Sequence, residues 1–260
     1  MEPSLQEQKQ QKAERIRPLL KEGLTYTDQD GCLDFLSPEL RKAYGLVDTE
    51  NVSAHAYDCF AQQLIDANPE GLLLDCGCGR RPVYLPNVVN FEIVNYDTTD
   101  VLGIGEKLPF KDNSFDGAFS LNVLEHVKDP FQCAKELSRV LKPGGKLYCV
   151  VPFMSPYHDF PDHYYNMTKS GLANLFNSYL TIDNQDVISS GLPIFTLTWV
   201  LNYWIGGLSD ETRESFLDMK VRDLIGDPVS YLDQPFVKEL SQEKNFELAA
   251  TTAIWATKAG

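Results

Sequence analysis

Between Leu72 and Pro82 the chain reads LLLDCGCGRRP, an apolar run that ends in the carboxylate of Asp75 and passes into two glycines, Gly77 and Gly79, one residue apart. Glycines placed after a strand let the backbone approach a ligand that a Cβ would exclude, and the N–H groups of the turn can hold a carboxylate or a phosphate. The dinucleotide fingerprint asks for Gly or Ala where Pro82 stands and requires no acid at Asp75, which disfavours a nicotinamide cofactor. Twenty residues beyond Gly77 stands Asp97, at what reads as the end of a second strand. A carboxylate there can accept hydrogen bonds from both hydroxyls of a ribose, with Asp100 as its rival.

A second concentration of chemistry lies in PFMSPYHDFPDHYYNMT, from Pro152 to Thr168. His158, His163, Asp159, Asp162, Tyr157, Tyr164 and Tyr165 fall within nine residues beyond an apolar run. In an open α/β sheet, ligands bind at the carboxyl edge of the strands. Histidine exchanges a proton near neutral pH and tyrosine can place an acceptor, so His158, His163, Tyr164 and Tyr165 are the catalytic candidates. No spacing among these residues is diagnostic of a metal, and Cys76 and Cys78 form C-x-C rather than the two-residue spacing of zinc or redox pairs. No metal is expected. Glu125 and His126 open a helical segment and read as a structural, hydrogen-bonded pair.

Short apolar runs alternating with helical patterns must position these groups. GLLLDC (71–76), FEIVNY (91–96), GAFSL (117–121) and KLYCVV (146–151) read as strands apolar enough to be covered on both faces, and a parallel sheet follows. Ala56, Phe60, Ala61, Leu64 and Ile65 recur at helical spacing. Asp129 as N-cap and Pro130 at the first helical position open a helix that Pro143-Gly144-Gly145 stops, and Thr168 caps another that runs to about Phe176. Further strands are expected over 181–188 and 247–257. Residues 1–52 form an N-terminal arm and 53–260 the main domain, with an acceptor loop and helix at 152–180 and a cap at 189–246.

LLLDCGCG, the acid Asp97, EKLPFKDNSFD, LNVLEHVKDP and ELSRVLKPGGKLYCVVPF occur in the order found in class I S-adenosylmethionine-dependent methyltransferases of the type 11 group. The chain resembles that family over roughly residues 70 to 155. The resemblance implies a doubly wound, Rossmann-like α/β fold: a mainly parallel sheet of about seven strands with helices on both faces, here with an N-terminal arm and a C-terminal helical cap. It implies S-adenosylmethionine as cofactor, with Asp75, Gly77 and Gly79 along its methionine end and Asp97 on its ribose. Glu106, Lys107 and Leu108 would flank the adenine, and the backbone of Asn122 would meet the amino group. Cys76 and Cys78 would pack beside the cofactor, and Thr98 and Val123 complete the set. Arg81 stands at the family's third glycine, so Arg80 or Arg81 could face the cofactor carboxylate. Ile104 stands where many relatives carry an adenine-binding acid, and Asn166 where they carry Arg. The implied activity is direct SN2 methyl transfer to a small metabolite or sugar-type acceptor, at oxygen or nitrogen. The alternative is a non-catalytic S-adenosylmethionine-binding module.

Of the 260 residues, 37 are acidic and 23 basic, for a formal net charge of −14. Such a surplus repels phosphate backbones and anionic headgroups, and with no basic patch in the sequence nucleic acid is not an expected partner. Six scattered cysteines read as reduced thiols, and the start lacks the apolar stretch of a secretory signal, so a cytoplasmic location is expected. The longest apolar run, Leu192 to Leu208, has 17 residues and contains Pro193, Thr196, Thr198 and Asn202. A membrane span needs about 20 mostly apolar residues. The run reads as a buried or capping helix, no membrane insertion is expected, and a homodimer is compatible with the chain.

Overall fold

Seven strands form one sheet: β1 (Thr27–Gln29), β2 (Cys32–Asp34), β3 (Leu73–Cys76), β4 (Val88–Glu92), β5 (Val101–Leu102), β6 (Phe115–Leu121) and β7 (Leu141–Val150). Their order is β1-β2-β5-β4-β3-β6-β7, and every neighbouring pair is parallel except β1 with β2. The mainly parallel seven-stranded α/β sheet is therefore present, with an unexpected source for two of its strands. Leu33 pairs with Val101 and Asp34 with Leu102, so residues 27–34 of the arm extend the sheet edge. The computed structural model describes residues 3–46, 54–158 and 162–250. They divide into two units, 3–153 with 162–185, and 154–158 with 186–250.

Within the first unit, strand residues alternate between two apolar layers, as a two-residue period demands. Leu74, Val89 and Ala118 lie in one layer with Cys133, Ala134, Leu137 and Val140 of helix α4 (Pro130–Val140) and with Leu175 and Phe176 of α5 (Lys169–Phe176). Leu73, Val88 and Phe119 lie in the other with Ala61 and Ile65 of α3 (Cys59–Asp66). The helices begin at side-chain caps. Asp58 accepts from the N–H groups of Phe60 and Ala61, Asp129 from that of Gln132, and Thr168 from that of Gly171.

The arm also contributes α1 (Leu5–Ile16), opened by a Ser4–Glu7 capping box, and α2 (Pro38–Ala43). Lys12 of α1 is buried, with its Nζ 2.6 Å from the Val88 carbonyl and 2.8 Å from Asp100 Oδ2. Asp100 also accepts from Tyr84 Oη and, at 2.8 Å, from the Asn90 N–H. The arm is thus joined to residues 84–100 at one dehydrated ion pair.

Several expectations are corrected. β4 stops at Glu92 rather than Tyr96, and residues 181–188 form no strand. Glu247 ends a helix, Gln242–Glu247, where a strand was expected to begin; positions 251–257 lie outside the described residues. Leu141 turns to extended backbone at φ −70° and ψ 138°, so the helix passes directly into β7 and Pro143-Gly144-Gly145 lies inside that strand.

The second unit contains α6 (Pro193–Gly206) and α7 (Asp210–Leu217) around a small cluster of Leu208, Phe216 and Leu240. Trp204 stacks on Phe216 with ring centroids 6.1 Å apart and donates from Nε1 to the Phe236 carbonyl at 2.8 Å. The long apolar run is helical as expected, yet none of the α6 residues is buried. Among the described residues no helix is long and apolar enough to cross a membrane.

Candidate functional site

β3 delivers Asp75 and Cys76 to a bend at Gly77 (φ +78°) and Gly79 (φ +59°). A Cβ on Gly77 would lie 2.5 Å from Val123 Cγ2, so both the left-handed conformation and the close packing call for glycine. The N–H groups of the bend are spent internally rather than forming an anion nest. Those of Gly77 and Cys78 donate to the Phe91 carbonyl at 2.9 and 3.2 Å, that of Gly79 to Glu92 Oε2 at 2.9 Å, and that of Arg81 to Thr98 Oγ1 at 3.2 Å. What the bend offers a ligand is close backbone approach.

The two arginines after the bend point to separate acids, and neither is left to face a cofactor carboxylate. Arg81 Nε donates to Asp75 Oδ2 at 2.8 Å and Nη2 to Oδ1 at 3.2 Å, and this pair is buried. Tyr57 Oη donates to Asp75 Oδ2 at 2.6 Å, and burial pushes the phenol's pKa far up. Arg80 grips Asp97 through Nε–Oδ1 at 2.9 Å and Nη2–Oδ2 at 2.8 Å, a half-exposed pair that holds the Asp97 carboxyl below its ordinary range.

Asp97 stands five positions past the end of β4, and the strand-end acid is Glu92. Glu92 is buried, accepts from Gly79 through Oε2 and from the Ile93 N–H through Oε1 at 2.9 Å, and has its carboxyl pushed up by burial. Asp100, the rival, is committed to Lys12, Tyr84 and Asn90. Sequence reading missed Glu92 because the apolar run continues past it. The signal was there in VVNFE, five buried residues ending in an acid.

On the adenine side, Glu106 and Lys107 lie in the turn Gly105–Lys107, while Leu108 is fully buried and its N–H donates to Glu136 Oε2 at 3.0 Å. Asn122 has φ +55° and donates its N–H to the Val150 carbonyl at 2.9 Å. Thr98 accepts from Arg81, and Cys76 and Cys78 are buried thiols with raised pKa. A strand-end carboxylate fixed to a positive-φ bend, with a left-handed Asn122 at the neighbouring strand end, suits a nucleoside laid across β3, β4 and β6.

Beyond β6, the structure gathers residues that the sequence separates. The Glu125 carbonyl accepts the N–H groups of Tyr164 and Tyr165 at 2.7 and 3.2 Å, and His126 Nδ1 lies 2.8 Å from the Asp162 carbonyl. The rings of His126 and His163 are 5.8 Å apart. Glu125 is buried, its Oε2 has no hydrogen-bond partner among the described residues, and burial pushes its carboxyl up to about 8. Three catalytic candidates, His163, Tyr164 and Tyr165, thus adjoin a pair first read as structural. His158 belongs to the second unit, where its Nδ1 lies 3.0 Å from the Pro156 carbonyl.

Residues 74–149, which run from β3 to β7, match the family model described as a methyltransferase domain. Over these residues the core is similar to a methyltransferase domain. Its resemblance to the class I S-adenosylmethionine-dependent enzymes, first carried by LLLDCGCG and the motifs after it, holds over this segment. The chain is 34% identical over 112 residues to the uncharacterized protein YafE of Escherichia coli, covering 38% of this chain and 53% of that one. It is 48% identical over 68 residues to the ubiquinone/menaquinone biosynthesis C-methyltransferase UbiE of Chromobacterium violaceum, covering 23% and 26%. The match thus spans about half the length of the first relative and about a quarter of the second. Among solved structures, a putative methyltransferase complexed with the Haloferax volcanii Trm112 activator aligns at TM-score 0.40 and 21% identity, over 51% of this chain and 72% of that one.

Proposed function

We propose that this chain is a methyltransferase that binds S-adenosylmethionine across the carboxyl ends of β3, β4 and β6 and directs its methyl group to a small-molecule acceptor, a metabolite or sugar, at oxygen or nitrogen. The observation that carries the reading is Glu92, a strand-end carboxylate anchored to the Gly79 N–H at 2.9 Å. When bound, the cofactor supplies a methyl group on a sulfonium, an electrophile that needs no further activation.

The chain's share is alignment, exclusion of water and, for a hydroxyl acceptor, removal of a proton. Glu92 takes the ribose hydroxyls, the role first expected of Asp97. Gly77 and Gly79 admit the methionine end, with Asp75, Cys76, Cys78 and Thr98 shaping the bend from behind. Asn122 and Val123 form the wall after β6, and Glu106 and Lys107 flank the adenine, with Leu108 serving as packing beneath them. His163, Tyr164 and Tyr165 place the acceptor and take its proton. The last two are held in register by the Glu125 carbonyl.

Thermal shift against S-adenosylmethionine, S-adenosylhomocysteine and NAD tests the cofactor. The two sulfur nucleosides should raise the melting temperature, and stabilisation by NAD alone would reject the reading. Radiolabelled methyl transfer into a metabolite extract then separates an enzyme from a module that only binds.

A further inference from the structure

Arg81 occupies the third-glycine position of the bend, and its side chain reaches where a glycine cannot. Nε and Nη2 engage both oxygens of Asp75 at the end of β3, at 2.8 and 3.2 Å. Nη1 donates to the His55 carbonyl at 3.0 Å, and the guanidinium lies 4.3 Å from the Tyr57 ring centroid. Tyr57 Oη returns to Asp75 Oδ2, closing a ring of three contacts. The next residue, Asp58, caps α3 and accepts from Tyr148 Oη at 2.6 Å, so the segment is also fixed from β7. Arg81 is 6% exposed and Asp75 fully buried. Each charge depends on the other, since a buried ion without its partner is strongly unfavourable.

We infer that Arg81 is a positioning residue for the donor's amino-acid end: it clamps His55–Asp58 against the end of β3 and so builds the wall that receives that end. Glu92 grips the nucleoside end separately, from the other side of the bend. Arg81 also cancels the charge of Asp75, so the zwitterionic tail meets a neutral dipolar wall rather than an anion. The inference rests on the proposed reading of the crevice as an S-adenosylmethionine site. It goes beyond that reading in giving Arg81, through the segment His55–Asp58, a role at the amino-acid end.

Two probes read the two ends of the donor independently in calorimetric titrations of the full chain. S-adenosylhomocysteine carries the amino-acid tail, and 5′-methylthioadenosine has the same nucleoside without it. Arg81→Lys keeps the charge but loses the planar fork and its stacking on Tyr57. It should weaken S-adenosylhomocysteine by about tenfold or more while changing methylthioadenosine by less than about twofold. Tyr57→Phe, which keeps the ring and removes one hydroxyl, should weaken only the tailed ligand, by about threefold, and reads the same wall should the lysine variant fail to fold. Equal losses for both probes would mean that Arg81 merely supports the fold, and unchanged affinity for the tailed probe would mean that it supports nothing at the site. Either result overturns the inference. Failure of the wild type to bind S-adenosylhomocysteine overturns the cofactor reading itself, and this inference with it.

Discussion

Asp75 and Glu125 are buried acids near the carboxyl ends of two neighbouring strands, β3 and β6, in opposite surroundings. Asp75 is ion-paired with Arg81 and accepts a third hydrogen bond from Tyr57. Asp100, on the same side, is likewise held by Lys12, Tyr84 and the Asn90 N–H. Glu125 has an oxygen without a hydrogen-bond partner among the described residues, and His126 Nε2 is 3.9 Å from its Oε1. Paired acids fix a shape, because separating them strands a charge in a medium that solvates it poorly. A buried acid with too few donors stays protonated into the neutral range, as the elevated value for Glu125 reflects. The acids beside the glycine bend therefore act as a frame, while beyond β6 burial favours the protonated form of Glu125.

The largest effect should come from breaking the frame. Asp75→Ala leaves Arg81 buried without its counter-charge and should cost about 3–5 kcal/mol in urea unfolding. Lys142→Ala, which removes the more exposed pair with Asp116, should cost less than about 1 kcal/mol. Similar costs for the two would erase the distinction between a dehydrated clamp and a surface pair.

Glu125→Gln sharpens the other half of the contrast through pH. The folded-state value of about 8 lies above the ordinary 4.5, so the fold favours the protonated form. Below the ordinary value both states carry the proton and Glu125 imposes no ionisation cost. As pH rises the unfolded chain ionises first, the cost accumulates, and it levels off above about 8. The glutamine variant should therefore gain stability relative to wild type with increasing pH, by on the order of 3 kcal/mol between pH 5 and pH 9. Melting curves at the two pH values check this, and a constant difference would place Glu125 among the paired acids.

The smallest effect is expected at Asp97. Asp97→Ala removes a half-exposed pair with Arg80, should change stability by less than about 1 kcal/mol, and should alter S-adenosylhomocysteine affinity by less than about threefold. A larger loss of affinity would return the ribose to Asp97.

Local chemistry made much of this framework legible in the sequence. The buried run before Asp75, the glycine bend, Asp129 ahead of Pro130 and the Thr168 cap each declare themselves within a few residues, and each is found in the structure. Pairings across long separations were not legible. β2 and β5 have three and two residues, too short to show a period, and only their mutual pairing makes the arm part of the sheet. β4 ends at Glu92 although the apolar pattern continues, because the Glu92 side chain turns back to the N–H groups of Gly79 and Ile93. Arg81 looked like a ligand for the cofactor carboxylate because nothing local reveals that Asp75, six residues earlier, is already its partner. Glu125 and His126 were read as structural because their neighbours Asp162–Tyr165 arrive from a loop more than thirty residues away.

Whether a nucleoside rests on the end of β4 is tested most directly by titrating S-adenosylhomocysteine into the wild type and Glu92→Gln, with circular dichroism showing that the variant is folded. Binding by the wild type and a loss of about tenfold or more in Glu92→Gln are expected, since a hydrogen bond to a charged group contributes about 1.5–3 kcal/mol. Equal affinity in the two proteins, or no binding to the wild type, would contradict the placement.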